Sequence, residues 1–169
     1  VGRKDFENLR EELTRRYVEA LGSNLVALAF FGSWARGEEK EWSDIDLLLI
    51  AKELPDDPFE RRWLVREPVL DLSELPISAL ARTMEEFSED ISPLHLDLGL
   101  DAIVFYDPLG FLAQRLERVR ELIEEAGLVR EKEVSGFAWR WKNPPSPGRW
   151  KLTWKGFTEW GHKRKPDTA

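Results

Sequence analysis

Phe30-Phe31-Gly32-Ser33-Trp34-Ala35-Arg36-Gly37, a short polar stretch, then Ser43-Asp44-Ile45-Asp46-Leu47-Leu48-Leu49-Ile50: this segment decides the fold class. Leu25 to Phe31 is an apolar run that stops at a turn, and it predicts a buried strand. Asp44 to Ala51 predicts a second buried strand, led by polar residues and ended by Leu54-Pro55-Asp56-Asp57-Pro58. Alternate residues of a strand share a face. Asp44 and Asp46 therefore point the same way, roughly 7 Å apart at about 3.3 Å per residue, and Ile45 and Leu47 point to the other side.

Two carboxylates on one face repel each other, and burying them unpaired is costly. A bound cation resolves that conflict. Hard oxygen ligands suit Mg²⁺, which is commonly shared between one or two carboxylates and substrate phosphates. The plain alternative is a strand entry, with Ser43-Asp44 as a polar cap and Asp46 on the surface. Gly32, lacking a side chain, lets backbone N–H groups approach a phosphate closely. Ser33 adds a hydroxyl. Arg36 adds a guanidinium within reach, or else pairs with Glu38 or Glu39 in the loop. A phosphate cradle followed by a metal-binding Asp pair is what phosphoryl or nucleotidyl transfer requires, with two metals about 3.5–4 Å apart clamping the attacking and leaving oxygens.

Working outward, Phe6, Leu9, Leu13, Tyr17 and Leu21 recur at helical spacing and Gly22 follows, predicting a helix over 4–21. A short helix is expected over 59–65 and a third strand over 76–83. Thr83 and Glu86 form a capping box at a helix start. Another helix is expected over 93–100 and a strand over 102–106. Leu112, Leu116, Val119, Ile123 and Ala126 form one helical stripe ended by Gly127. His95, between Leu94 and Leu96, reads as a core residue. Strands and helices intermingle, so the fold class is α/β (α+β), a β-sheet with helices packed on it.

Composition sets the outer limits. The chain has 169 residues, 42% hydrophobic and 34% charged, enough for a core under a charged surface. There is no cysteine and there are two histidines, which excludes thiolate zinc, disulfides and a Cys nucleophile and disfavours a Ser-His-Asp triad. No apolar run reaches the roughly 20 residues of a membrane span, and no signal pattern appears, so a cytoplasmic location is expected. Residues 1–128 carry 28 acidic and 15 basic side chains, whereas 129–169 carry 4 and 10. Five of the eight tryptophans also lie in that last quarter. The expected organisation is a domain over 1–128, a basic aromatic β-ribbon over 129–157, and a frayed tail over 158–169. Phe137, Trp139 and Trp141 alternate with basic residues, as do Trp150, Leu152 and Trp154. The ribbon is expected to pair these two runs across Asn143 to Gly148. Its aromatic face either packs on the body or offers a platform for bases.

Gly-Ser, ten residues, then Asp-X-Asp at the head of an apolar strand resembles the DNA polymerase beta-like nucleotidyltransferase superfamily, in particular its minimal members. The resemblance covers about residues 5–127. It implies a mixed β-sheet with packed helices, and a nucleoside triphosphate, most naturally ATP, bound with Mg²⁺ on Asp44 and Asp46 and with its triphosphate on Gly32 and Ser33. A nucleotidyl group would pass to an acceptor hydroxyl with release of pyrophosphate. Relatives with a complete site use a third carboxylate on the next strand. Here the inward positions of 76–83 are Pro76, Ser78 and Leu80. Asp71, with Glu74 behind it, is therefore the candidate third catalytic and metal-binding carboxylate. Without a third carboxylate the chain would be a nucleotide-binding but weakly catalytic homologue. An antitoxin-like protein that binds or modifies a small helical partner, and a nucleic-acid-binding module built on the tryptophan ribbon, are the rival readings.

Overall fold

The computed structural model describes residues 3–161. Its elements follow in the order α1 (Arg3–Leu21), β1 (Leu25–Phe31), α2 (Gly32–Arg36), β2 (Ile45–Ala51), α3 (Pro58–Arg66), β3 (Ile77–Thr83), α4 (Met84–Phe87), α5 (Pro93–Asp101), β4 (Ile103–Tyr106) and α6 (Phe111–Ala126). Four further strands complete it: β5 (Leu128–Glu133), β6 (Gly136–Trp141), β7 (Trp150–Thr153) and β8 (Gly156–Glu159). The chain forms two compact units. One holds residues up to 89 together with 100–115, and the other holds 90–99 together with residues from 116 onward. Among the described residues no helix is long and apolar enough to cross a membrane.

The first unit is built on a four-stranded sheet of order β3-β2-β1-β4. β1 runs antiparallel to both β2 and β4, while β2 and β3 are parallel. Parallel pairing needs a crossover, and α3 supplies it. Asp57 caps α3, accepting from the N–H groups of Phe59 and Glu60 at 2.9 and 3.0 Å, and Pro58 occupies its first turn. The expected capping box at Thr83 is present, with Thr83 Oγ1 accepting from the Glu86 N–H and Glu86 Oε1 from the Thr83 N–H, both at 3.1 Å. Arg61 donates to both oxygens of the same Glu86 carboxylate, at 3.0 and 2.9 Å, and so ties α3 to the start of α4.

The apolar stripe of α1 packs on one face of the sheet. Leu13 and Tyr17 are fully buried there with Phe30, Leu47 and Leu49. The Tyr17 hydroxyl donates to the Val65 carbonyl at 2.6 Å, fastening α1 to the crossover helix. Burial raises the phenol well above its ordinary pKa, so it remains a donor at every working pH. Leu48 and Ile50, on the opposite face, are also fully buried. β2 is thus covered on both sides, and Asp46 is its one position that is not fully buried.

The C-terminal strands differ from the expected ribbon. β6 pairs with β5, not with β7, and β7 pairs with β8. Two hairpins result, joined through Val134-Ser135 and Trp154-Lys155, with Gly136 and Gly156 at positive φ. Closing a two-residue loop costs about 1 kcal/mol less chain entropy than closing the longer Asn143 to Gly148 connection, and two-residue links are the commonest hairpin connections, which favours the local pairing. The aromatic alternation survives in another role. Trp139, Trp141, Leu152, Trp154 and Phe157 pack against Leu96, Val119, Ile123, Ala126 and Leu128 within the second unit. Trp139 Nε1–H donates to Asp97 at 3.0 Å, and the Arg130 guanidinium lies 4.2 Å over the Phe137 ring. His95 is buried edge-on against Trp154, at 5.6 Å between rings. Thr158 and Glu159 belong to β8, whereas the rest of the expected tail, from His162, lies outside the described residues.

Replacing Tyr17 by Phe leaves the buried Val65 carbonyl without its donor. The expected cost is about 1–3 kcal/mol, read as a lower urea midpoint with an unchanged m-value.

Candidate functional site

Strand register brings the two halves of the motif together. Phe31, the last residue of β1, lies opposite Asp46 in β2. Gly32 then leaves the strand at φ +71° and starts α2. A Cβ at Gly32 would collide with the Asp46 carboxylate. Glycine is therefore required twice over, once for the left-handed backbone and once for the room that Asp46 occupies. After β1 there is a five-residue helix where a simple turn was expected, and Gly37, also at φ +71°, closes it.

The return to β2 is held by Ser43. Its N–H donates to the Lys40 carbonyl and its Oγ accepts from the Lys40 N–H, both at 2.9 Å. Its carbonyl accepts from Trp34 Nε1–H at 3.0 Å. Asp44 follows, exposed at the head of β2, and the Ile45 N–H donates to Pro76 to begin the β2–β3 ladder.

Electrostatics single out Asp46. Burial raises its carboxyl above the usual range, the Asp44 charge adds to that, and the Arg36 guanidinium opposes both. Arg36 is also engaged elsewhere. It donates to Asp101 at 3.2 Å and to Glu38 at 3.3 Å, and the Asp101 side chain is only 6% exposed. Asp101 was not foreseen as a partner, because 65 residues separate it from Arg36 and no local pattern marks it.

Asp71 stands apart. It lies between α3 and β3, is 79% exposed, and bonds Arg16 at 2.6 Å. The Arg16 hydrogen bond holds its carboxyl below the usual range. The β3 residue in register with Asp46 is Ser78, a hydroxyl where a third carboxylate would stand. Among the described residues no group of three or more His, Asp or Glu is gathered to hold a metal ion. Glu74, by contrast, does share a cleft with Asp44 and Ser78, of about 620 Å³, with Arg62 and Arg66 on its wall.

With this geometry the relationships of the chain can be read. The model of the nucleotidyltransferase domain family matches residues 8–129, most of the chain and all of the main sheet. The protein belongs to this family. It is a nucleotidyltransferase, and its mixed sheet with packed helices is the fold of that family. A candidate protein adenylyltransferase of Methanocaldococcus jannaschii is 31% identical over 125 residues, covering 72% of this chain and 85% of the relative. Two crystal structures share the fold at lower identity. One is a toxin–antitoxin with AMP-PNP, at TM-score 0.50 and 15% identity, covering 69% of this nucleotidyltransferase and 90% of that chain. The other is a spectinomycin adenyltransferase of Enterococcus faecialis with ATP and spectinomycin, at TM-score 0.51 and 14% identity, covering 70% and 67%.

Two outcomes follow from the Gly32–Asp46 contact. Gly32→Ala forces a side chain into the left-handed region, at about 1–2 kcal/mol, and displaces the Asp46 carboxylate. Thermal unfolding reads the first effect, and the chemical shifts of the Asp46 side chain read the second. Asp46→Asn acts oppositely on stability. A carboxyl whose pKa is raised by folding stabilises most when protonated, and that contribution fades as pH rises through its folded pKa. Asp46→Asn therefore raises the unfolding temperature at neutral pH. The difference from wild type vanishes at about pH 3, below the ordinary Asp value.

Proposed function

We propose that this nucleotidyltransferase transfers an adenylyl group from ATP to an acceptor hydroxyl, with Mg²⁺ as its metal. The single observation that carries the reading is the close approach of Gly32 to the Asp46 carboxylate. It puts a side-chain-free backbone turn, with Ser33 the next residue, against the Asp46 carboxylate, whose neighbour in charge is Asp44. The donor set fits the ion. Asp44 and Asp46 supply only hard oxygens, their mutual repulsion is relieved by a cation, and the missing Cβ of Gly32 leaves the carboxylate accessible.

In this reading Asp44 and Asp46 hold Mg²⁺, while Gly32 and Ser33 hold the triphosphate. The bound ion would neutralise phosphate charge and the charge that builds on the leaving oxygen. The acceptor oxygen forms a bond to the α-phosphorus as the bond to the β-phosphate bridging oxygen breaks. Pyrophosphate departs with that electron pair, and the hydroxyl proton passes to water. Arg36 contributes positive charge near Asp46 while Asp101 and Glu38 orient it. Asp71 takes no part, because Arg16 already neutralises it. With Ser78 beside Asp46, the protein offers no third carboxylate from β3.

A second reading concerns the acceptor: the hydroxyl belongs to a partner protein. It is supported by the Methanocaldococcus jannaschii relative, named for adenylylating protein, and by the shared fold of the toxin–antitoxin chain crystallised with AMP-PNP.

Calorimetric titration of the four nucleoside triphosphates, with and without Mg²⁺, tests the core of the proposal. ATP should bind wild type in the presence of Mg²⁺ and lose at least tenfold in affinity in Asp46→Asn. Binding that ignores both the metal and the substitution would overturn it.

A further inference from the structure

β3 is an edge of the main sheet and pairs on one side only, with β2. The Ile45 N–H donates to the Pro76 carbonyl. Backbone groups alternate in direction along a strand, so Pro76, Ser78, Leu80 and Arg82 serve β2, and Ile77, Ala79, Ala81 and Thr83 turn theirs to the open side. That open side is closed off at one end. Arg82 Nη1–H donates to the Ala81 carbonyl at 2.8 Å, and Glu86 Oε1 accepts from the Thr83 N–H at 3.1 Å. Charged side chains laid over an edge are a common way to stop a further strand from adding. Nothing does this at the other end. The outward N–H and C=O groups of Ile77 and Ala79 have no partner among the described residues.

The open half of this edge lines the cleft of about 620 Å³ that also holds Asp44. α3 contributes Arg62 and Arg66 to the same cleft. Both are exposed, and neither has an ion-pair or hydrogen-bond partner among the described residues. Glu74 is the carboxylate there besides Asp44. With Asp44 given to the metal, the cleft sets two guanidinium groups against one carboxylate. It also reaches the proposed site directly: Asp44 is one of the pair, and Ser78, in its lining, is in register with Asp46.

An unpaired strand edge beside free guanidinium groups suits an extended peptide with acidic side chains. Main-chain hydrogen bonds supply the binding, and the side chains on one face supply the choice. A nucleic acid would also meet the arginines, but it has no alternating amide donors and acceptors for the edge.

We infer that this cleft binds an extended, acidic segment of a partner protein as an added strand on β3, and so brings a hydroxyl of that segment to Asp44. The inference rests on the protein-acceptor reading above and names the chemistry of that acceptor. Ile77 and Ala79 exchange main-chain hydrogen bonds with the segment, and its Asp or Glu side chains meet Arg62 and Arg66. The added strand stops where Arg82 and Glu86 cover the edge. The covalent step is unchanged: the docked hydroxyl takes the adenylyl group, its proton passes to water and pyrophosphate leaves.

The test uses the full chain with Mg²⁺ and the α,β-methylene analogue of ATP, whose α–β bridge is not cleaved. The probes are two seven-residue peptides with a central tyrosine, one carrying glutamate at alternate positions and one carrying lysine there. The glutamate peptide should bind at least tenfold more tightly, with affinity falling as salt rises. In Arg62→Gln/Arg66→Gln that preference should disappear. Both positions are exposed and Gln is a good helix former, so the variant is expected to fold, and its unfolding temperature checks this. Methylating alternate backbone nitrogens of the glutamate peptide should abolish binding for one of the two alternate sets and spare the other, because an added strand pairs along one edge. With Mn²⁺ in place of Mg²⁺, the bound tyrosine should lose its proton signals to paramagnetic broadening, which reads its closeness to Asp44. Equal binding of both peptides, a preference that survives in the variant, or indifference to methylation would overturn the inference. So would a chain that sediments as a dimer and binds neither peptide, since a second copy would then occupy the edge. Failure to bind the nucleotide analogue at all would instead overturn the proposed function, so the two failures are distinguishable.

Discussion

The antiparallel pairing of Phe31 with Asp46 is the constraint on which the site depends. It sets the end of β1 against the second residue of β2, so the chain must leave β1 over a carboxylate. Only a residue without Cβ can do that, and only at positive φ does the backbone turn into α2 there. The apolar remainder of β2, buried on both faces, fixes the register. A slip of one residue would turn Asp46 into the α1 core and Leu47 out of it. Core packing therefore positions the polar pair.

That placement has an energetic consequence. Asp46 is half-buried beside a like charge, and its carboxyl is pushed up rather than relieved. Arg36 moderates this but is held by Asp101 and Glu38. A fold that keeps such an arrangement carries a local penalty that a bound cation would remove, as expected where stability yields to chemistry. Along the same β2, the neighbouring strand offers Ser78 and not a carboxylate. In the proposed reading, Asp44 and Asp46 are then the only carboxylates of the site.

Much of the fold was legible because its elements are locally determined. The α1 stripe, the strand β1 with its stop at Gly32, the capping box at Thr83 and the α6 stripe all rest on periodicity or on hydrogen bonds between close neighbours. Pairing between distant segments was less legible. The tryptophan strands were correctly seen as alternating, yet β6 pairs with β5 because a two-residue link closes more cheaply than a long one. Their aromatic face is spent on packing within the second unit, where Asp97 receives the Trp139 N–H.

The division between sequence and tertiary structure is clearest at the carboxylates. Sequence alone determined that Asp44 and Asp46 stand at the head of a buried strand and that a glycine and a serine precede them, because both statements follow from the apolar run and local order. It could not determine the fate of Asp71. Only the packed helix α1 brings Arg16 within 2.6 Å and neutralises that carboxylate. Nor could it link Arg36 to Asp101, or set Arg62 and Arg66 in one cleft with Asp44. Those juxtapositions join residues far apart in the chain. They exist because the helices must cover the sheet, and burial of apolar area decides which polar side chains are carried along with them.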